Sequence, residues 1–349
     1  MPTLRELATS AGPMINEQPP IIIAEAPLPF PTRINYAIRL WTMKIFVKMA
    51  INLASIFFPR PASKRPTYTK VYPVRPSITN RVFIPSSHKP GEKLPLYISI
   101  HGGGFSLCDP RVDDDFASRF SSKHGICVVS IGYRLGPRKR FPTQVFDIAE
   151  LAQAVINDPD LPCDKSKVAI GGFSAGGNLA LAAVQLDGLD GRIAGVVGFY
   201  PVVDFAKPIT QKLQDRPATE KKDMLADSGK WFNWAYLRPG EERQNPLLSP
   251  AFADKLSLPD KICLIGCEYD ILCKEAEDMA LTLAADEEGT RKEINGEDCW
   301  EKGGVRWEKV KEKEHGFDHI PAIREAGNQE RADKLHDDVA DWLLREVYA

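Results

Sequence analysis

Val168-Ala169-Ile170-Gly171-Gly172-Phe173-Ser174-Ala175-Gly176-Gly177-Asn178-Leu179-Ala180 changes its periodicity in the middle. The apolar run over residues 168–172 reads as a buried strand, and residues 176–186 repeat at helical spacing. Gly172-Phe173-Ser174-Ala175-Gly176 has to make the whole turn between them. Such a turn admits only small side chains around Ser174 and lifts its hydroxyl over the end of the strand. There the dipole of the following helix favours a developing anion. The five letters alone are weak evidence, because a chain of 349 residues with 25 glycines yields roughly 0.09 such matches by chance. The strand before and the helix after give the pattern its meaning.

The same alternation continues on both sides. Short β-rich runs occur at residues 96–100, 126–131, 193–200 and 262–267, with a weaker one at 306–310. Helical stretches cover residues 145–156, 275–285 and 330–346, and residues 69–74 and 80–84 read as two further strands. Strand and helix in repetition predict an α/β fold with a mostly parallel central sheet of about eight strands and helices on both faces. Ligands of such sheets gather beyond the carboxyl ends of the strands.

One of those ends carries His101-Gly102-Gly103-Gly104-Phe105. Consecutive glycines let the backbone turn sharply and aim bare N–H groups into a cleft. With 6 histidines and 25 glycines in the chain, His-Gly-Gly-Gly is expected roughly 0.002 times. It lacks the Gly-x-x-x-x-Gly-Lys-Ser/Thr spacing of a phosphate loop.

A serine hydroxyl needs a base and an orienting acid, and after an elbow serine these follow in the order acid, then histidine. Three histidines lie downstream: His315, His319 and His336. His336 falls in the terminal helical stretch among polar neighbours and is expected on a solvated face. His315 opens His-Gly-Phe in the loop after the last strand, and His319 is the runner-up in the same loop. For the acid, Asp270 follows the strand at 262–267 directly, in Cys267-Glu268-Tyr269-Asp270. Its other reading is a cap for the helix starting near Glu275. Glu268 and Asp204 are the alternative acids.

Together with Tyr133-Arg134-Leu135-Gly136-Pro137, Phe141-Pro142, Asn178, Tyr200-Pro201, Ser249-Pro250 and His315-Gly316-Phe317, these motifs run in one order. The chain resembles the hormonesensitive-lipase-like family of α/β-hydrolases, which includes microbial carboxylesterases and arylacetamide deacetylases, over about residues 72–344. The resemblance implies Ser174 as nucleophile, Asp270 as orienting acid and His315 as base, with the main-chain N–H groups of Gly103, Gly104 and Ala175 as oxyanion hole. It implies an arm and amphipathic cap helix in residues 1–65, and a catalytic domain over residues 66–349 with a cap insertion at about 205–245. In that insertion Trp231, Phe232, Trp234 and Tyr236 read equally as core or as pocket. The implied activity is hydrolysis of a neutral, fairly apolar carboxylic ester through an acyl-enzyme, with no cofactor and no metal. Acyl transfer and amide deacetylation remain open on the same scaffold, as does a non-catalytic small-molecule receptor. The chain departs from the family at Asp270-Ile271-Leu272-Cys273-Lys274, where relatives often carry Asp-Pro-Leu-x-Asp. Residues 286–304 look long and charged, as a solvated surface excursion.

Composition narrows the partners. Against 47 acidic residues stand 45 basic ones, a net charge of −2, so nucleic acid is not expected. Seven scattered cysteines without a Cys-x-x-Cys pair predict neither a disulfide framework nor a zinc site, and fit a reducing, cytoplasmic setting. The N-terminus has no leader-like apolar run, so no cleaved leader is expected. Seven prolines within residues 2–31 predict an extended arm. Residues 34–58 are apolar but carry Arg39, Lys44 and Lys48, and their charge-free tract of 11 residues is short of the ~20 a membrane span needs. That segment reads as an amphipathic helix that either packs on the protein's own pocket or makes peripheral contact with an intracellular membrane. The expected partner is a small-molecule ester, and nothing in the chain indicates an oligomeric state.

Overall fold

Apolar runs too short for helices become the strands of one sheet. The computed structural model describes residues 27–285, 287–294, 296, 298–319 and 327–349; the expected arm at residues 2–31 falls almost wholly outside them. In chain order the strands are β1 (Tyr68–Lys70), β2 (Asn80–Phe83), β3 (Leu94–Ile100), β4 (Cys127–Ile131), β5 (Cys163–Phe173), β6 (Gly195–Phe199), β7 (Lys261–Cys267), β8 (Lys292–Glu293), β9 (Cys299–Lys302) and β10 (Val305–Val310). They pair in the order β1-β2-β4-β3-β5-β6-β7-β10-β9-β8. The six from β4 to β10 in that order are parallel, and the two strands at each edge are antiparallel. Every residue of β4 and β6 is buried, as strands covered on both faces must be.

Helices supply that cover. On one face lie α3 (Thr143–Asn157), α4 (Ala175–Ala183) and α7 (Cys273–Ala285), and on the other α2 (Asp114–His124) and α8 (Asn328–Glu346). α3 presents Val145, Ile148, Ala152 and Val155 as one buried stripe, at the spacing an amphipathic helix requires. α8 does the same with Leu335, Val339, Trp342 and Leu343.

Ten strands replace the eight expected, because the stretch read as a surface excursion, whose described residues 288–294 are exposed, adds two short strands at the sheet edge. β9 pairs with β10 and β8 with β9, and Cys299 and Trp300 are buried. The charges misled because this is a sheet edge, where Lys292 and Glu293 face water and Glu301 bonds Arg306 at 3.0 Å.

Before the sheet runs α1 (Phe30–Phe57), and between β6 and β7 lie α5 (Ile209–Asp215) and α6 (Leu225–Tyr236). α1 passes unbroken through Arg39, Lys44 and Lys48, so its 28 residues span about 42 Å. The charge-free tract was the wrong measure: by length and composition this helix is long enough to cross a membrane. Instead its inner side packs on α6, where Leu40 is buried with Leu107 and Ala235. Lys44 Nζ donates to the carbonyls of Ser106 (2.5 Å) and Gly136 (2.7 Å). Burial, with Arg138 nearby, lowers the pKa of this lysine to about 8.

Candidate active site

β5 ends at Phe173 and α4 begins at Ala175, which leaves Ser174 alone to make the turn at φ 55°, ψ −117°. A side chain in that region is strained and needs its surroundings to hold it. The Ser174 N–H donates to Phe199 O at 2.8 Å. Glycine is required on either side because a Cβ at Gly172 or Gly176 would run into the carbonyl of Ile100. Asn178, one turn along α4, donates to Val202 O (2.8 Å) and Leu248 O (2.9 Å) and ties the elbow to the loops beside it.

The structure brings His315 and Asp270 to this serine from the ends of two neighbouring strands. His315, after β10, lies with Nε2 2.8 Å from Ser174 Oγ and Nδ1 2.6 Å from Asp270 Oδ2. Asp270, after β7, is buried, and its other oxygen accepts from Leu272 N at 2.9 Å. One Asp270 oxygen thus bonds the imidazole and the other the turn into α7. Burial alone would push the His315 pKa down. The Asp270 carboxylate, with Asp223 and Asp318 behind it, more than offsets this, so it lies above the ordinary 6.5. Glu268 accepts from Glu312 N, and Asp204 from Ala206 N and Lys207 N. Neither alternative acid is bonded to His315.

Gly103 and Gly104 adopt φ 112° and 57°, a region that glycine enters without strain. The Gly103 carbonyl accepts from Ser106 N (3.1 Å) and Leu107 N (2.8 Å), which closes the loop from behind. A Cβ on Gly104 would lie 2.6 Å from the Phe232 ring of α6. One on Gly102 would lie 3.5 Å from Ser174 Cβ, so the glycine run sits beside the serine. Ala175 opens α4, and a first-turn N–H has no acceptor within its own helix. His101 stacks on Tyr133 at 4.4 Å and donates from Nδ1 to Gly102 O at 2.8 Å; burial lowers its pKa. Tyr133 donates to His101 O at 3.1 Å, and Arg134 is paired with the buried Asp147. The Tyr133-Arg134 motif therefore braces the glycine loop.

The remaining histidines do not reach Ser174. His319 lies 3.1 Å from Asp318 Oδ1 and 3.4 Å from Asp113 Oδ1. Burial opposes its charge, but the two carboxylates prevail and raise its pKa to about 10. His336 is buried rather than solvated and contacts Asp318 Oδ2 at 3.0 Å. Its polar neighbours concealed a position that continues the buried stripe of Ala332, Val339, Ala340 and Leu343. Asp318 also accepts from Tyr200 at 2.6 Å, and the Tyr200 ring meets His315 edge-on at 4.8 Å. Sequence reading overlooked this network, although Asp318 and His319 complete the run that His315 begins.

Of the four aromatic residues, Tyr236 is core, stacked on Phe105 at 3.7 Å. Phe232 covers Gly104, and Trp231 and Trp234 pack toward α1. A cavity of about 410 Å³ opens beside the glycine loop between His101, Cys108, Arg111 and Tyr133, and Ser174 does not line it. Among the described residues no group of three or more His, Cys, Asp or Glu is arranged to hold a metal ion.

Comparison with known proteins gives the same fold. A family model described as alpha/beta hydrolase fold matches residues 97–298. An arylesterase of Saccharolobus solfataricus is 32% identical over 193 residues, 54% of this chain and 61% of that protein. The carboxylic ester hydrolase LipN of Mycobacterium tuberculosis is 33% identical over 221 residues, 58% of this chain and 56% of that one. The chain thus spans about three fifths of the length of these curated relatives. Among solved structures, EstE1, a thermophilic carboxylesterase from a metagenomic library, superposes with a TM-score of 0.71 at 26% identity, over 87% of this chain and 97% of its own. An esterase of Pyrobaculum calidifontis gives 0.67 at 25% identity, over 90% and 99%. The family model covers more than half of the chain, and the chain belongs to the alpha/beta hydrolase fold family, in keeping with its resemblance to the hormone-sensitive-lipase-like members.

Proposed function

We propose that this protein is a serine carboxylic ester hydrolase acting on a neutral, fairly apolar ester through an acyl-enzyme. One observation carries the reading: Ser174 Oγ, His315 and Asp270 form a continuous hydrogen-bonded line of 2.8 and 2.6 Å beside a glycine loop. His315 takes the Ser174 proton as the oxygen attacks the ester carbonyl. The N–H groups of Gly103, Gly104 and Ala175 stabilise the oxyanion, each such donor being worth about 2.7–4 kcal/mol of barrier in comparable sites. His315 then protonates the departing alkoxide. Water, deprotonated by the same imidazole, attacks the acyl-Ser174 ester, and collapse of the second oxyanion frees the acid and returns the proton to Ser174. Asp270 stays ionised throughout, holding the Nδ1–H tautomer and stabilising the imidazolium.

The aromatic neighbours of the glycine loop, Phe232 foremost, favour an apolar acyl or alcohol group. The esterase names of the relatives agree in reaction class. Residues 66–349 form the catalytic domain in this reading, capped by α1, α5 and α6. The seven unbridged cysteines favour a reducing, cytoplasmic setting. Hydrolysis of a p-nitrophenyl ester by wild type and Ser174→Ala tests the proposal. Activity should fall by about 10⁶-fold, and an unchanged rate would refute the assignment. Tight ligand binding without turnover by wild type would point to a receptor instead.

A further inference from the structure

α1 buries Leu40 on its inner side and turns Ile34, Ile38, Ile45, Met49, Leu53 and Ile56 outward. Ile38, Ile45 and Ile56 are 62%, 64% and 70% exposed. At 100° per residue these six form one continuous stripe along the helix, and a stripe of that length is unusual on a surface that meets only water. Its charges are one-sided. Between Phe30 and Phe57 there is no Asp or Glu, and the four charged residues are Arg33, Arg39, Lys44 and Lys48. Lys44 is turned inward onto the Ser106 and Gly136 carbonyls. Arg39 and Lys48 emerge roughly 90° to either side of the apolar stripe.

We propose that α1 docks in the plane of an anionic lipid surface, its apolar stripe among the acyl chains and Arg39 and Lys48 at the level of the phosphates. Charge selects this occupant. A second copy of the chain would bring two pairs of cations together on faces that offer no carboxylate, whereas anionic lipid supplies the counter-charge. The inner contacts select the orientation. A helix that crossed the bilayer would give up Leu40 on Leu107 and Ala235, both Lys44 bonds and the Tyr36 contact with Trp234. A helix lying flat keeps them all. α1 itself reaches the loop that follows Gly104, through Lys44 on the Ser106 carbonyl and Leu40 on Leu107, so with the helix lying flat that loop is held about one helix diameter, ~10 Å, from the lipid. The docking does not depend on the ester-hydrolase reading.

Co-sedimentation of the full chain with phosphatidylcholine vesicles, with and without phosphatidylserine, tests this. Binding should be about 30-fold tighter with phosphatidylserine, from two basic residues near the surface. Ile38→Asp with Ile45→Asp should abolish binding to both vesicles while leaving circular dichroism and turnover of soluble p-nitrophenyl acetate unchanged. Arg39→Glu with Lys48→Glu should remove only the preference for phosphatidylserine. Absence of binding by the full chain would overturn the proposal. So would binding gained only after residues 1–26 are removed, which would assign the stripe to that segment. Retention on vesicles through an alkaline carbonate wash would replace docking with spanning. A dimer that Ile38→Asp converts to a monomer, without vesicle binding, would assign the stripe to a second copy.

Discussion

His315 and His319 stand four residues apart in one loop, both against buried carboxylates, and only His315 reaches Ser174. The difference lies in how many carboxylates each imidazole meets. His315 spends Nδ1 on Asp270 and keeps Nε2 for the serine hydroxyl. His319 has a carboxylate near each nitrogen, Asp318 at 3.1 Å and Asp113 at 3.4 Å, and with a pKa of about 10 it stays a cation at neutral pH. One carboxylate on Nδ1 leaves Nε2 free to meet the serine hydroxyl. Two make a permanent charge whose use is to hold the loop, through Asp318, to Tyr200 and to His336 on α8.

This contrast is broken most directly at Asp270. Asp270→Asn should keep the fold yet lower kcat by about 10⁴-fold, since the imidazole loses the tautomer it needs. A loss below about tenfold would mean that another carboxylate orients His315.

Asp318→Asn attacks the other member of the pair. It leaves charged His319 with one carboxylate, and should cost about 3–5 kcal/mol in urea unfolding and about 10- to 100-fold in kcat through a displaced loop. Asp318 is also among the charges that raise the His315 pKa, so the acid limb of kcat/KM should move to lower pH in this variant. Lost stability with kcat and pH profile intact would show that the second network only supports the fold.

The smallest effect is read in the wild type. Because the His315 pKa is raised, its inactive protonated form persists upward, and the acid limb of kcat/KM should reach half-height above pH 6.5. A half-height below 6.5 would mean that burial outweighs Asp270. The raised His319 pKa gives a second pH signature. Its stabilisation is complete below about 6.5 and fades as pH rises through about 10, so unfolding free energy should decline over that window in wild type and decline less in Asp318→Asn.

Some of this is legible in the sequence alone. The elbow and the glycine loop could be read because the backbone turns they need, Ser174 at φ 55° and Gly103 and Gly104 at φ 112° and 57°, fall on residues next to one another in the chain. The central parallel strands could be read because burial on both faces leaves them largely apolar, as in β4 and β6. Residues 286–304 could not, since an edge hairpin shows its charges to water and buries little beyond Cys299 and Trp300. His336 was misjudged from its neighbours Asp337 and Asp338, although its own position follows the buried stripe of α8.

Backbone periodicity and glycine placement, both short-range, are enough to lead to the sheet and to the elbow. The number of carboxylates meeting each imidazole is not written in any local pattern. Asp113 and Asp270 come from distant parts of the chain and meet His319 and His315 only when the sheet and its helices close, whereas Asp318 is the neighbour of His319 in sequence. In that dry space charges a few ångströms apart set protonation. The same holds for α1, whose amphipathic pattern allowed two faces to be buried, and which packing on α6 left with its isoleucines outward.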